Sequence, residues 1–325
     1  TTWATDDTGA LSLSGYQELT NRKYDSDRNV RNQRVLSYLD ATKSVLLDAQ
    51  EIRTLSYDSR GIVRSQIAAT YGDVDASGNV IQSSLLDCKV ITNEDIDAMG
   101  NAHKTTVKKY MSATITDNPA TPGINDGEII YSDFSDTRVA LTGVGAFDNR
   151  GNALHQESYE YFGNIVKYNV TAIEAAYSAY LAVVSSGAQE DISAAAALFT
   201  ANTSLSVNDI GQKRVTDFTL YDSHDRVVRS STASYSEATR GLVDYQESTF
   251  NEYGIWGNPI SQTIVIYDAI PGSAIPANVV EIKEVRNLYE GDVELAEGGT
   301  ISAAAAAKRG IAVRTTITRA RDSGE

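Results

Sequence analysis

The sequence predicts a mainly β fold, in which antiparallel strands and turns repeat as a meander, ribbon or solenoid-like array with Ala-rich helical insertions. Two observations predict it: an Asp followed by a Tyr 13 residues later recurs, often with Gly three residues after the Asp, and apolar and polar residues alternate in between. The repeated residues are Asp25 and Tyr38, Asp58, Gly61 and Tyr71, Asp97, Gly100 and Tyr110, Asp148, Gly151 and Tyr161, Asp222 and Tyr235, and, from a diverged copy, Gly257 and Tyr267.

Each copy of this phrase combines a turn with a strand. Asp at the first position and Gly at the fourth suit a type I turn that is closed by a left-handed residue. In the copy that starts at Asp58, Val63, Ile67 and Ala69 fall on the same face as Tyr71. This alternation is typical of a strand with one buried face, so successive copies predict an antiparallel meander.

The phrase and its interruptions divide the chain into five segments. Residues 1–112 hold closely spaced β repeats, and residues 113–168 a Pro- and Gly-rich loop with further β repeats. Residues 169–212 form a predicted helical insertion, and β repeats return over 213–268. Residues 269–325 predict a loop, a short helix and a terminal strand.

Helix signals are confined to the insertions. The sequence Thr171-Ala172-Ile173-Glu174 matches a capping box and predicts the start of the first helix, and a second is predicted from Asp191 to about residue 201. A third is predicted over 303–307. The sequence Ile-Ser-Ala-Ala-Ala-Ala occurs at both 192–197 and 301–306. The alternating, β-branched segment Ile311–Thr318 then predicts a strand with an unpaired edge.

Some copies of the phrase resemble a known repeat. Tyr57-Asp58-Ser59-Arg60-Gly61, Tyr221-Asp222 and Phe147-Asp148-Asn149-Arg150-Gly151-Asn152 are similar to the YD repeats of the Rhs and teneurin-type families. The resemblance implies an extracellular or secreted β-rich protein whose repeats wind a long strand ribbon into a shell or an extended body. The chain is also similar to modules of very large bacterial surface repeat proteins. Copies without the Tyr-Asp pair and the Ala-rich helices depart from the pattern.

Composition narrows the classes of partner. The net charge is −15 with a pI near 4.7, which disfavours nucleic acid and anionic membrane surfaces. The sequence contains no run of 18 apolar residues, the length that predicts a transmembrane helix, so no membrane insertion is expected. Cys88 is the single cysteine, either a small apolar strand residue or half of an interchain bond. Because the sequence begins with Thr1 and not with Met, we expect a processed chain or an excerpt of a longer one.

No pattern of catalytic residues stands out, so neither an enzyme nor a cofactor is predicted. The three histidines do not have metal-ligand spacing. Asp73, Asp75 and Ser77 resemble the start of a calcium loop, but Ser84 occupies the position that requires a bidentate Glu. The repeat turn is therefore favoured over a metal site at these three residues.

The function predicted from these features is structural. We expect an extracellular or cell-surface repeat protein, a subunit of a fibre, filament or sheath that forms a homopolymer when terminal strands of successive copies pair head to tail. The alternative is an adhesin that binds carbohydrate or protein, with glycans as its partners. The tyrosines could form a sugar-stacking platform, although filling the rim of a sheet is favoured.

Overall fold

A single large antiparallel sheet dominates the protein. The computed structural model describes residues 2–5, 11–39, 41–124, 126–164, 169–185, 187–254, 256–289, 293–294, 300–301, 303–308 and 310–320. Within these ranges, 15 strands form one sheet, and each strand pairs with its neighbours in chain order. The predicted mainly β meander of strands and turns is confirmed.

The strands are mostly nine to fourteen residues long. Two additional short strands, β15 (Val293–Glu294) and β16 (Thr300–Ile301), pair with each other. The strands of the main sheet are β1 (Thr2–Thr5), β2 (Leu11–Tyr24), β3 (Val30–Tyr38), β4 (Leu46–Tyr57), β5 (Val63–Tyr71), β6 (Leu85–Ile96), β7 (Ala102–Ile115), β8 (Ile129–Leu141), β9 (His155–Tyr161), β10 (Ile210–Tyr221), β11 (Val227–Tyr235), β12 (Leu242–Tyr253), β13 (Pro259–Tyr267), β14 (Val279–Leu288) and β17 (Arg314–Ala320).

Because the strands alternate in direction, their connections lie on two opposite rims. One rim, called here the turn rim, consists of the tight turns 25–29, 58–62, 97–101, 148–152, 222–226 and 254–258. The other, called the tyrosine rim, carries the Tyr residues at or near the ends of alternate strands: Tyr38, Tyr71, Tyr110, Tyr161, Tyr235 and Tyr267. The 13-residue phrase therefore spans one turn and the strand that crosses the sheet from it.

Connections fold over the sheet to make its cores. Over β3–β7, the buried face includes Leu36, Ile67 and Tyr71, and Val80 of the β5–β6 connection packs with them. The connection from β7 to β8 is held over the sheet by hydrogen bonds. Asn32 donates to the carbonyl of Asp126 at 2.5 Å, and Arg53 donates to that of Gly127 at 2.8 Å. These two strand residues thereby dock the covering loop through its main chain.

Two helices between β9 and β10 build a second core. Helices α1 (Val170–Val184) and α2 (Gln189–Thr203) bury Ile173, Tyr177 and Phe199 against Tyr159 and Tyr161. The predicted capping box at Thr171 is wrong. Asn169 is the N-cap, and its side chain accepts from the amide of Ala172 at 3.1 Å.

The carboxylate that the capping box required is engaged elsewhere. Glu174 accepts both Nε (3.0 Å) and Nη2 (2.9 Å) of Arg240 and also accepts the hydroxyl of Tyr161 at 3.3 Å. Glu174 therefore forms a long-range ion pair with Arg240 in the β11–β12 connection. It does not cap the helix, contrary to the prediction from the local sequence.

Helix α3 (Ala303–Lys308) joins distant parts of the sheet. It lies in the connection from β14 to β17, and Ala306 is buried against Leu47 at the start of β4. Lys308 donates to the carbonyls of Tyr38 and Leu39 at the tyrosine rim. Strands β4 to β14 separate these contacts along the sheet, and Asn258 on the turn rim also donates to the carbonyl of Ala307. The turn rim near β14 is therefore brought against the tyrosine rim at β3–β4, and this curling of the sheet is called here the spiral.

The last predicted segment contains more structure than its sequence indicated. Strand β14 lies in the part of 269–325 that was predicted as loop, and β17 begins at Arg314 rather than Ile311. All seven residues of β17 are exposed. Strand β14 was missed because it follows a long insertion in its turn rather than a compact copy of the phrase.

Candidate functional site

Each turn of the repeat is organised by the carboxylate of its Asp. In six turns one carboxylate oxygen accepts the amides two and four residues later at 2.8–3.0 Å. In four of them an Asn at the fifth position donates its side-chain amide to the other oxygen. Asp therefore recurs because its two oxygens satisfy the turn's free donors. These six are Asp25, Asp58, Asp75, Asp97, Asp148 and Asp222.

These hydrogen bonds favour the charged carboxylate. The pKa of Asp58 is lowered mainly by the amide of Ile62, and the pKa of Asp97 mainly by that of Asn101. The same direction holds at Asp268, where six extra residues are inserted in the loop and Asn278 takes the place of the turn Asn. The turns are thus most stable when their carboxylates are ionised.

The fourth residue of each turn has a left-handed backbone. Gly61, Gly100, Gly151 and Gly257 have φ of 81°, 98°, 88° and 77°. Arg28 and Asp225 occupy the same position with φ of 68° and 60°. Gly is favoured here because an L side chain in this conformation costs free energy.

Replacing Gly151 by Val should lower the free energy of unfolding by about 1–2 kcal/mol or more, because a β-branched residue would be forced to positive φ. An added Cβ would also lie 3.0 Å from the Asn101 side-chain oxygen of the preceding turn. Gly61→Val should behave alike, since its Cβ would lie 3.0 Å from the oxygen of Asn29. Thermal denaturation measures the loss.

The matched control for both variants is Gly143→Ala. Gly143 lies in the same connection as Gly151, and a Cβ there would meet no atom within 4 Å. Melting temperatures of the two Val variants equal to that of the control would remove the assigned role of the turn glycines.

Tyrosines link successive turns along the turn rim. The Tyr before a turn donates its hydroxyl to the carbonyl of the residue just after the preceding turn, as in Tyr221 to Ala153 at 2.6 Å. The same bond joins Tyr57 to Val30, Tyr253 to Val227, and Tyr289 to Pro259. The Tyr of the Tyr-Asp pair therefore ties neighbouring hairpins together, a role that sequence analysis missed although the pair itself was visible.

Arginines add a second link between neighbouring turns. Arg60 donates to the carbonyl of Asp97 at 2.6 Å, and Arg150 donates to that of Asp222 at 3.0 Å. Arg150 also pairs with Asp225 at 2.6 Å, although this pair is exposed. Hydrogen bonds from Tyr and Arg side chains therefore link most neighbouring turns of the turn rim.

The tyrosine rim divides into buried and half-buried members. Tyr71 and Tyr161 are fully buried and Tyr110 is 8% exposed. Burial raises the pKa of Tyr71 to about 12 and also raises the pKa of Tyr161. These three rings fill cores, so they cannot present a stacking surface. Tyr38, Tyr235 and Tyr267 are partly exposed.

The candidate calcium residues serve a turn. Asp75 accepts the amides of Ser77 and Asn79 at 2.8 and 2.9 Å, whereas Asp73 accepts that of Val74 at 2.8 Å. Over the described ranges no group of three or more His, Cys, Asp or Glu side chains is placed to hold a metal ion. Cys88 is fully buried on β6, where burial raises the pKa of its thiol to about 11.

A cleft opens beside the turn rim, between β2–β4 and the connection 116–128. Its volume is about 1020 Å³, and Tyr24 and Leu55 on its wall are both about half exposed. Asn32 and Arg53, both more than nine-tenths buried, also line it. The side-chain oxygen of Asn32 and the Nη2 of Arg53 have no hydrogen-bond partner.

Among the described strands, the sheet has an unpaired edge at each of its two ends. Strand β1 pairs only with residues 11–15 of β2, so residues 16–24 of that strand are paired on one side, by β3. At the other end β17 pairs with β14 through residues 314–320. Across the part of the chain that the structure describes, no strand covers the outer edge of either segment.

Comparisons with protein-family models and with curated proteins found no match to this chain. Among the described helices, none combines the length and the apolar character that a membrane crossing requires.

Proposed function

We propose that the protein is an extracellular structural subunit that assembles head to tail, through strand pairing, into a surface fibre, filament or sheath. The observation that carries the proposal is the pair of open sheet edges on β2 and β17. Unpaired main-chain donors and acceptors on such edges are satisfied by adding a strand from another molecule.

Strand direction supports a head-to-tail contact. Strand β2 runs toward the turn rim and β17 runs away from it, because they occupy the second and fifteenth positions of an antiparallel sheet. Placing β17 of one copy beside β2 of the next therefore gives an antiparallel pair with both rims in line. Such a contact is heterologous and open, so it extends into a filament rather than closing as a dimer.

The bonds along the turn rim supply the mechanical element of the proposal. Each hairpin is joined to the next by the strand ladder, and four pairs of neighbouring connections are also joined by the tyrosine hydroxyl bonds described above. The stability of stacked repeats comes mainly from contacts between neighbouring repeats. An added copy is therefore stabilised by the same kind of contact as an internal repeat. The acidic net charge of −15 fits a protein that stays soluble until its edges meet.

Deleting residues 311–325 should shorten or abolish filaments, because it removes the strand that presents one open edge. Particle length by electron microscopy and mass by light scattering measure the effect. The full-length interface should bury more than about 1,000 Å². Val144→Ser, at a side chain that is 97% exposed in a connection away from both edges, is the control and should assemble normally. A full-length protein that stays monomeric at high concentration contradicts the proposal, as do unchanged filaments after the deletion.

A second candidate function is an adhesin that binds glycans in the cleft beside the turn rim. The unpartnered Asn32 oxygen is an acceptor and the unpartnered Arg53 Nη2 is a donor, and sugar hydroxyls pair with groups of both kinds. The half-exposed ring of Tyr24 offers a face against which a pyranose can pack.

A glycan array probed with the monomer tests this candidate. Tyr24→Ala should lose binding, whereas Met111→Ala, at an equally exposed residue of β7 outside the cleft, should retain it. The adhesin function is wrong if the wild-type protein binds no glycan or if the Tyr24 variant binds as the wild type does.

A further inference from the structure

Helix α3 is packed between two levels of the spiral. On one side it meets the β3–β4 end of the tyrosine rim through Ala306 and Lys308. On the other side it meets the turn rim, where Asn258 donates to the carbonyl of Ala307 and the Trp256 ring lies 4.5 Å from Lys308 Nζ. A short Ala-rich helix is therefore the layer that separates one turn of the spiral from the next.

Helix α2 shares with α3 the run of four alanines, at 194–197 and 303–306, but leaves the corresponding face uncovered. Aligning 192–197 with 301–306 places Ala197 opposite Ala306 and Leu198 opposite Ala307. Ala306 and Ala307 are buried, at 0% and 7% exposure, whereas Ala197 is exposed and Leu198 is 63% exposed. Together with Ala194 and Ala201, these two residues form an apolar face on the outside of α2.

The offset seen at α3 identifies what would cover this face. The β14–β17 connection lies over the β3–β4 connection, 11 strand positions earlier. Helices α1 and α2 fill the β9–β10 connection on the tyrosine rim, so the matching turn lies 11 positions later. When β2 of a second copy is counted as the strand that follows β17, the connection 11 positions after β9–β10 is the β6–β7 turn of the second copy, residues 97–101.

The chemistry of that turn fits the helix face. Met99 is the third residue of its turn, and it is 66% exposed. The third residues of four other turns on this rim are polar or charged: Asp27, Arg60, Arg150 and His224. Met99 is thus a flexible, exposed apolar side chain at the position that would lie opposite the outer face of α2.

We propose that the outer face of α2, centred on Leu198, docks on the Met99 turn of a second copy of this chain. The inference rests on the proposed head-to-tail assembly and adds a contact between levels of the spiral to the strand pairing. The partner is a second copy because the internal α3 contact shows this protein covering a helix with the same alanine run by its own sheet.

Cysteine-specific cross-linking tests the contact. Subunits carrying Met99→Cys are mixed with subunits carrying Leu198→Cys, and a short bismaleimide is added under assembly conditions. The native Cys88 is fully buried with a raised thiol pKa, so it stays unreactive in the folded protein. A covalent dimer is expected in the mixture, several-fold above the amount from either variant alone. Leu220→Cys, exposed on β10 at the opposite rim, replaces Leu198→Cys in the control mixture.

Electron microscopy of the same samples distinguishes a failure of the α2 contact from a failure of the head-to-tail assembly. Filaments with the specific dimer support the α2 contact. Filaments in which the mixture yields no more dimer than the Leu220 control overturn the α2 contact and leave strand-paired assembly standing. Monomers without filaments overturn the head-to-tail assembly itself and, with it, the α2 contact.

Discussion

Glu51→Ala is expected to lower the free energy of unfolding by about 3–5 kcal/mol. Glu51 is fully buried on β4 and pairs with Arg22 at 2.8 Å and with Arg53 at 3.0 Å. The side chains of the two arginines are only 10% and 9% exposed. Removing the carboxylate leaves two buried cations facing each other without their shared anion.

The loss should extend to the covering loop. Arg53 holds the 116–128 connection through the carbonyl of Gly127, and burial already lowers the pKa of Arg53. Without Glu51, the guanidinium gains by moving toward water, and that movement releases the loop from the sheet. Urea denaturation and hydrogen exchange of the 116–128 amides measure the two effects.

Glu94→Ala is the matched control for this variant. Glu94 also pairs with a cation across neighbouring strands, Lys104 at 2.8 Å, but its side chain is 44% exposed. Its loss should cost no more than about 1 kcal/mol. Equal destabilisation by the two variants would show that the buried cluster does not hold the fold as described.

Acid should weaken the fold progressively once the pH falls below about 3.8, the ordinary Asp pKa. The carboxylates of the turns have lowered pKa values in the folded protein: Asp25, Asp58, Asp75, Asp97, Asp148, Asp222 and Asp268. A group with a lowered folded pKa contributes stability that is complete above the unfolded pKa and is lost as the pH falls through the folded one. The turns should therefore act together in acid unfolding.

A triple variant isolates this contribution. Asp58→Asn, Asp97→Asn and Asp148→Asn keep an acceptor oxygen in each turn but remove the charge. Melting temperatures between pH 7 and pH 2 should show a lower plateau for the variant and a shallower fall below pH 3.8. Asp27→Asn changes a charge in the first turn without altering its bonded Asp25, so it should follow the wild type. Parallel curves for the triple variant and the wild type would contradict the assigned role of the turn carboxylates.

Local features of the chain were predictable because their causes lie within a few residues. The Asp carboxylate bonds amides two and four positions away, and the left-handed fourth residue selects Gly at most turns. Alternation from Val63 to Tyr71 reports which side of the strand is buried. These signals predicted the turns, the strands and the meander, and they placed the three helices to within a few residues.

Other features depended on contacts between distant residues. Asn169 caps α1 while Glu174, the expected capping partner, pairs with Arg240 at 2.9 Å. Strand β14 forms because β13 and β17 pair with its two sides, although its preceding turn carries an insertion. Neither outcome has a signature within a short window of sequence.

The sequence by itself determined that this protein is a ribbon of strand-turn repeats, because turn chemistry and alternation are local and the ladder follows from them. Only the tertiary structure decided how the ribbon curves, which loops cover Glu51 and which edges stay open. The reason is that curvature and burial are set by the summed packing of many strands and by connections such as α3, which meets β4 more than 250 residues away in sequence. Those long-range contacts place the two open edges and the α2 face on which the proposed assembly depends.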